Sequence, residues 1–199
     1  VVVNALGVVR TLMKAGPMPR FIYCPGPSIK QHQLATDPTC RLQRDRIASP
    51  EIKLADAEKW SLKAAIIPVT PLQQNCSLIW DAATGSGAVV DPGGDVAQIQ
   101  EAIAQVGMKP DKIVLTHGHI DHAGGAAELK QKLGVPIEGP HLADKFLLEG
   151  LEAQGREYGI AARNVLPDLW LNEPGTLNIG GHDFEILHCP GHSPGSLVF

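Results

Sequence analysis

The stretch THGHIDHAGG, residues 116–125, places three of the chain's eight histidines and an aspartate within six consecutive positions. It follows directly on KIVLT, a short apolar and β-branched run that reads as a buried strand. His117 and His119 are two apart, so in an extended segment leaving that strand they lie on the same side. Asp121 and His122 come where the chain turns into the next helix and face another direction. One loop can therefore offer two imidazoles to one metal, and a carboxylate and an imidazole to a second nearby. Gly118 and the Gly124–Gly125 pair let the backbone pack closely around such a site. These N and O donors suit Zn²⁺, and also Fe or Mn. The bland alternative is a solvated polar loop, and the spacing and the position after a strand weigh against it.

A second histidine loop, HCPGHSPGS, spans residues 188–196. Two Pro-Gly turns flank His192 and would fix its imidazole without help from secondary structure. His192 is the expected third nitrogen for the first metal. His188 shares a strand face with Phe184 and Ile186, so it is expected to be a satisfied, buried histidine. His32, His141 and His182 have no partners in sequence and read as ordinary surface or loop residues.

Strand patterns at KAAIIPVT and NCSLIWD flank a PLQQ turn, and GSG at 85–87 turns into AVVDPGG, a short buried strand with a sharp loop. Asp95 is the expected N-cap of VAQIQEAIAQVG, whose Val96, Ile99, Ile103 and Val106 share one face, with Gly107 as the stop. AAELKQKLG and 141–158 read as helices, PIEG as a short strand, and HDFEILH as one alternating strand. Strands alternating with helices predict a layered α/β domain over 62–199. Residues 1–61 show no sustained period and are expected to form an irregular extension, not a confident domain.

Charge divides the chain at the same place. Residues 1–62 carry nine Lys and Arg against five Asp and Glu, while 63–199 carry eight against 16. The resulting −8 of the later stretch argues against a nucleic-acid partner. Four separated cysteines with no CxxC pair argue against a disulfide framework and for a reducing, cytoplasmic setting. No apolar run approaches the roughly 18 residues that span a bilayer. Residues 1–36 lack acidic residues, faintly like a transit peptide, but their prolines spoil the amphipathic helix such a peptide needs.

The residues together resemble a known family. HGHIDH resembles the HxHxDH signature of the metallo-β-lactamase superfamily, and NCSLIWD, VVDPGGD and the His192 loop occur in the matching order. Within it the chain is most similar to the small glyoxalase II-like hydrolases of the hydroxyacylglutathione hydrolase type. The resemblance runs from about Ala64 to Phe199. It implies an αββα sandwich, here the first sheet, its helices and the start of the second half. It implies two zinc ions in an intact site, one held by His117, His119 and His192 and the other by Asp121 and His122. A bridging aspartate and a further histidine would lie beyond Phe199. Asp91 resembles the family's supporting aspartate, which braces the metal loop. The implied chemistry is hydrolysis of a small-molecule thioester such as S-lactoylglutathione, with the metal lowering the pKa of a bound water toward about 7. Asp121 would orient that water or take its proton.

Three rivals stand beside it: a persulfide dioxygenase-like iron enzyme using His117 and His119, a nuclease of the same superfamily, and an inactive zinc-binding fragment. The start on Val1 and the end in SLVF suggest a chain cut at both ends. The corresponding expectations are an open apolar sheet face, weak zinc binding and no turnover by the 199 residues alone.

Overall fold

A computed structural model of the chain describes residues 61–199. The expectations for the preceding extension lie outside the described residues. Strands β1 (Leu62–Val69), β2 (Gln74–Asp81), β3 (Ser86–Val90), β4 (Lys109–Val114) and β5 (Ile137–Glu138) form one sheet in that order. The first three pair antiparallel through tight turns, whereas β3–β4 and β4–β5 are parallel. Parallel neighbours need a crossover. Helix α1 (Val96–Val106) supplies the first, and α2 (Ile120–Ala123) with α3 (Ala126–Leu133) supplies the second.

β2, β3 and the end of β4 are apolar on both sides, and their period of two sorts side chains between two cores. Leu78, Val89, Ile113 and Leu115 join Ile99 and Ile103 of α1 and Leu129 of α3. Ile79, Ala88, Val90 and Val114, one residue out of step, join Leu177, Ile179, Phe184, Ile186 and Leu197. That second group belongs to β6 (Thr176–Ile179), its hairpin partner β7 (His182–Glu185), the link after β7, and the antiparallel pair β8 (Leu187–His188) and β9 (Leu197–Val198). The expected sheet with helices on one face and the start of a second β layer on the other is therefore present.

The open sheet face is a correction. Ile79, Ala88, Val90 and Val114 are each at most 1% exposed, because β6, β7 and β9 already cover the centre of the sheet. HDFEILH is also not one strand. Its alternation continues, but the Ile186 amide donates to the Gly175 carbonyl, and the chain then changes partner from β6 to β9. The 141–158 stretch divides into a 3₁₀ turn (Leu142–Asp144), α4 (Lys145–Glu149) and α5 (Leu151–Tyr158), interrupted at Gly150.

Asp95 occupies the N-cap position of α1 but makes no side-chain cap. Its backbone is left-handed (φ 48°), and its carboxylate instead accepts the Thr70 amide at 2.7 Å, tying the β1–β2 turn to the helix start. No described helix is long and apolar enough to cross a membrane.

Candidate metal centre

β4 ends at Val114, and within three residues the chain presents His117 from the buried end of the sheet. His119 is still extended (φ −71°, ψ 154°) as N-cap of α2, which carries Asp121 and His122 in its one turn. The loop is held from below by Asp91, at the end of β3. One Asp91 oxygen accepts the Thr116 amide at 2.8 Å; the other meets the Thr116 hydroxyl at 2.6 Å and His122 Nδ1 at 2.9 Å. The Gly93 backbone passes so close to the Asp121 carbonyl that any Cβ at Gly93 would overlap it. PGGD is thus a requirement of contact between two loops.

The sequence-predicted nitrogens come together. Ring centroids of His117 lie 4.8 Å from those of both His119 and His192, and His119 Nδ1 is 3.1 Å from His192 Nε2. Among the described residues, donor atoms of His117, His119 and His192 lie within 4.8 Å of one another, as do those of Asp91, His117 and His122. Three nitrogens around a tetrahedral zinc with about 2.05 Å bonds would sit about 3.3 Å apart, so small adjustments suffice.

One atom tests the fit most sharply. His117 Nε2 is fully buried and has no hydrogen-bond partner, while its Nδ1 lies 3.0 Å from the Thr116 hydroxyl. An unpaired buried nitrogen costs free energy unless a ligand takes its lone pair. The donor set therefore suits a divalent metal.

Electrostatics point the same way. Burial, and then the neighbouring His122, push the His117 pKa down to about 3. Burial followed by His192 lowers that of His119. Both rings are neutral at neutral pH, as a metal ligand must be. His122 behaves differently: burial disfavours its charge most, but the carboxylates of Asp91 and Asp121 together outweigh burial and raise the pKa. Burial likewise opposes the Asp91 charge most, and His122, His117 and the Thr116 hydroxyl together outweigh it and lower the pKa. Nδ1 of His122 is thereby directed at Asp91, leaving Nε2 on the side of Asp121, 3.5 Å from its carboxylate.

His32 lies outside the described residues, and the remaining histidines have partners that the sequence did not show. His188 is half-buried and stacks on His141, with centroids 4.2 Å apart, and its Nε2 lies 2.9 Å from the Pro194 carbonyl. His141, read as partnerless, also accepts the Ala143 amide. His182 pairs with Asp81 and Ser61, but both contacts fall on Nε2, so the three cannot relay a proton as a hydrolytic triad does.

Sequence reading overlooked Thr116, which joins Asp91 to the loop, and Asp144, a fully buried carboxylate between the two histidine loops. Thr116 stands beside the motif. Asp144 carries no local signal at all.

Comparison with known proteins assigns the chain to a family. The family model described as metallo-beta-lactamase superfamily matches residues 69–199. The chain is 46% identical over 136 residues to hydroxyacylglutathione hydrolase GloC of Haemophilus influenzae, covering 67% of this chain and 64% of that protein. It is 33% identical over 134 residues to the probable metallo-hydrolase YqgX of Bacillus subtilis, covering 67% and 63%. The chain thus spans somewhat less than two thirds of these relatives' length. Among solved structures it resembles the B3 metallo-beta-lactamase BLEG-1, with a TM-score of 0.60 and 29% identity over 68% of this chain and 65% of that one. It also resembles TTHA1623 in a di-iron-bound form, with a TM-score of 0.57 and 33% identity over 67% and 64%. With most of its described length matched by one family model, the chain belongs to the metallo-beta-lactamase superfamily.

Proposed function

We propose that the protein is a metal-dependent hydrolase of small-molecule thioesters of the S-lactoylglutathione kind. In this reading His117, His119 and His192 hold one ion, and Asp121 and His122 contribute to a second. The observation that carries it is the buried, unpartnered Nε2 of His117, within reach of the donor nitrogens of His119 and His192. The 46% identity to a hydroxyacylglutathione hydrolase supports the substrate class.

When bound, a divalent metal supplies Lewis acidity, acidifying water and polarising a carbonyl. The chain's own residues do the rest. Neutral His117 and His119 offer lone pairs without first losing a proton. Asp91 fixes the His122 ring so that only Nε2 faces the site, as carboxylate partners of ligating histidines do. Asp121 is 27% exposed at the rim, so it can orient an attacking water or accept its proton. A thiolate leaves readily, and the site needs no dedicated acid behind it.

Zinc is the proposed ion. The one observation that favours iron is the similarity to TTHA1623 in a di-iron-bound form, and iron is the ion of the dioxygenase reading. The protein expressed from its complete reading frame decides between them. Elemental analysis should find zinc, and the thioester absorbance of S-lactoylglutathione should fall on adding the loaded protein. Iron with oxygen consumption on a glutathione persulfide would replace the reading by a dioxygenase. Cleavage of a phosphodiester, with the thioester untouched, would replace it by a nuclease.

A further inference from the structure

We propose that Asp144 is a positioning residue that locks the two metal-ligand loops to each other and sets the spacing of His119 and His192. The proposal rests on the reading of His117, His119 and His192 as one donor set.

Asp144 closes the 3₁₀ turn before α4 and is 0% exposed. No cation pairs with it among the described residues; three donors do. Oδ2 accepts the Gly118 amide at 3.0 Å and the Ser193 hydroxyl at 2.6 Å, and Oδ1 accepts the Gly195 amide at 2.6 Å. Gly118 stands between His117 and His119, and Ser193 follows His192 directly. One carboxylate therefore reaches both loops, over sequence separations of 26, 49 and 51 residues.

The approach is close enough to restrict its neighbours. A Cβ at Gly195 would meet Asp144 Cγ at 2.7 Å, and one at Gly118 would meet Leu147 Cβ at 2.8 Å. The other backbone tie between the loops is the Leu197 amide to the Thr116 carbonyl, five residues past His192. Nearer the imidazole, His192 is held through Ser193, whose hydroxyl also meets Ser196 at 2.8 Å. His192 is itself exposed, so packing does not fix it. The carboxylate does.

Chemistry explains why an aspartate is required. All three partners are donors, and a carboxylate has only acceptors. In Asp144→Asn the volume is unchanged, but the amide NH₂ must face either Gly195 or the Gly118 and Ser193 pair. Either orientation opposes donor to donor. Asp144→Glu keeps the acceptors and moves them by a methylene into a filled site, so it should not restore the geometry.

The test uses the full chain with zinc, measured by competition against a chromophoric chelator, and with cobalt, read by its visible absorption. Melting in EDTA reports the fold alone. Asp144→Asn should lose about 10–100-fold in zinc affinity, as partners of metal ligands usually do when altered. Its cobalt bands should weaken, while the metal-free melting temperature moves by only a few degrees. Ser193→Ala, which removes one of the three donors and no charge, should show a smaller loss in the same direction. It decides the matter if Asp144→Asn does not fold. Zinc affinity and cobalt bands unchanged in the folded variants, whatever their melting temperature, would make Asp144 merely structural and overturn the proposal. If His119→Ala also leaves zinc binding unchanged, the donor set itself was misread.

Discussion

The two histidine loops reach the same centre by opposite means. The 116–125 loop is an extension of a central strand: His117 and His122 are buried, Thr116 is clamped by Asp91, and the Gly93 backbone lies against Asp121. The 188–196 loop is peripheral. His192 and Cys189 are exposed, the strands on either side are two residues long, and its polar anchors are Glu173 at the His188 amide and Asp144 at Ser193 and Gly195. The first loop is positioned by the core that folds the domain, the second by hydrogen bonds, those around His192 converging on the Asp144 carboxylate. Substitutions near the first should damage fold and metal binding together; those near the second should separate them.

The largest expected effect is at the shared centre. His119→Ala should reduce S-lactoylglutathione hydrolysis to that of the metal-free protein, a greater loss than the 10–100-fold typical of residues one bond further from the metal. Steady-state assays with added zinc, alongside metal content, would check it. Retained turnover would show that His192 and His117 suffice.

Gly93→Ala tests the rigid side of the comparison. Because a Cβ there overlaps the Asp121 carbonyl, one of two buried loops must move, with an expected destabilisation of about 3 kcal/mol, at the upper end for overpacked sites. Zinc affinity should fall with it. Chemical denaturation and chelator competition on one preparation would reveal whether the two losses are linked.

Asp91→Asn should act on both quantities less severely. It removes the charge paired with His122 in a buried site, but an amide of the same shape keeps part of the hydrogen bonding, so the loss should be about 2 kcal/mol, the scale of one charge-assisted hydrogen bond. His122 would lose the influence that raises its pKa. The variant's loss of stability should therefore be visible in urea melts without metal. A variant as stable as the parent would mean that Asp91 serves the ligand ring alone.

The loops also differ in how far they could be read from sequence. His117, His119, Asp121 and His122 stand in one short run after an apolar strand, so period and composition expose them. His192 is legible because two Pro-Gly turns frame it. Asp144 is not, since its three partners are distant in sequence and the stretch around it reads simply as helix. Asp95 is legible as the N-cap residue, but only the folded β1–β2 turn brings the Thr70 amide to its carboxylate in place of a helix amide. Alternation in HDFEILH marks which side chains are buried, but it cannot say that pairing passes from β6 to β9 along the way.

The smallest effect lies away from the centre and serves as a control. Asp81 sits at the β2–β3 turn, where the Ser61 hydroxyl, the Thr84 amide and His182 hold its carboxyl well below the usual carboxylate range. A depressed folded pKa stabilises above the unfolded value of about 3.9 and is lost as pH falls through the folded one. Asp81→Asn should thus lower the melting temperature by a few degrees at pH 7, and the gap should narrow below about pH 4. Zinc affinity should not change. A gap that persists in acid would mean that the hydrogen bonds, and not the charge, matter at this turn.

In the proposed reading three imidazoles, two from the rigid loop and one from the tethered one, share a single ion. A crystal structure of the zinc-loaded protein, with the ion located by anomalous scattering at the zinc edge, tests it directly. One peak should be bonded to nitrogens of His117, His119 and His192 at about 2.0–2.1 Å. A lone peak bonded to Asp91, His117 and His122, with His192 turned to solvent, would contradict it.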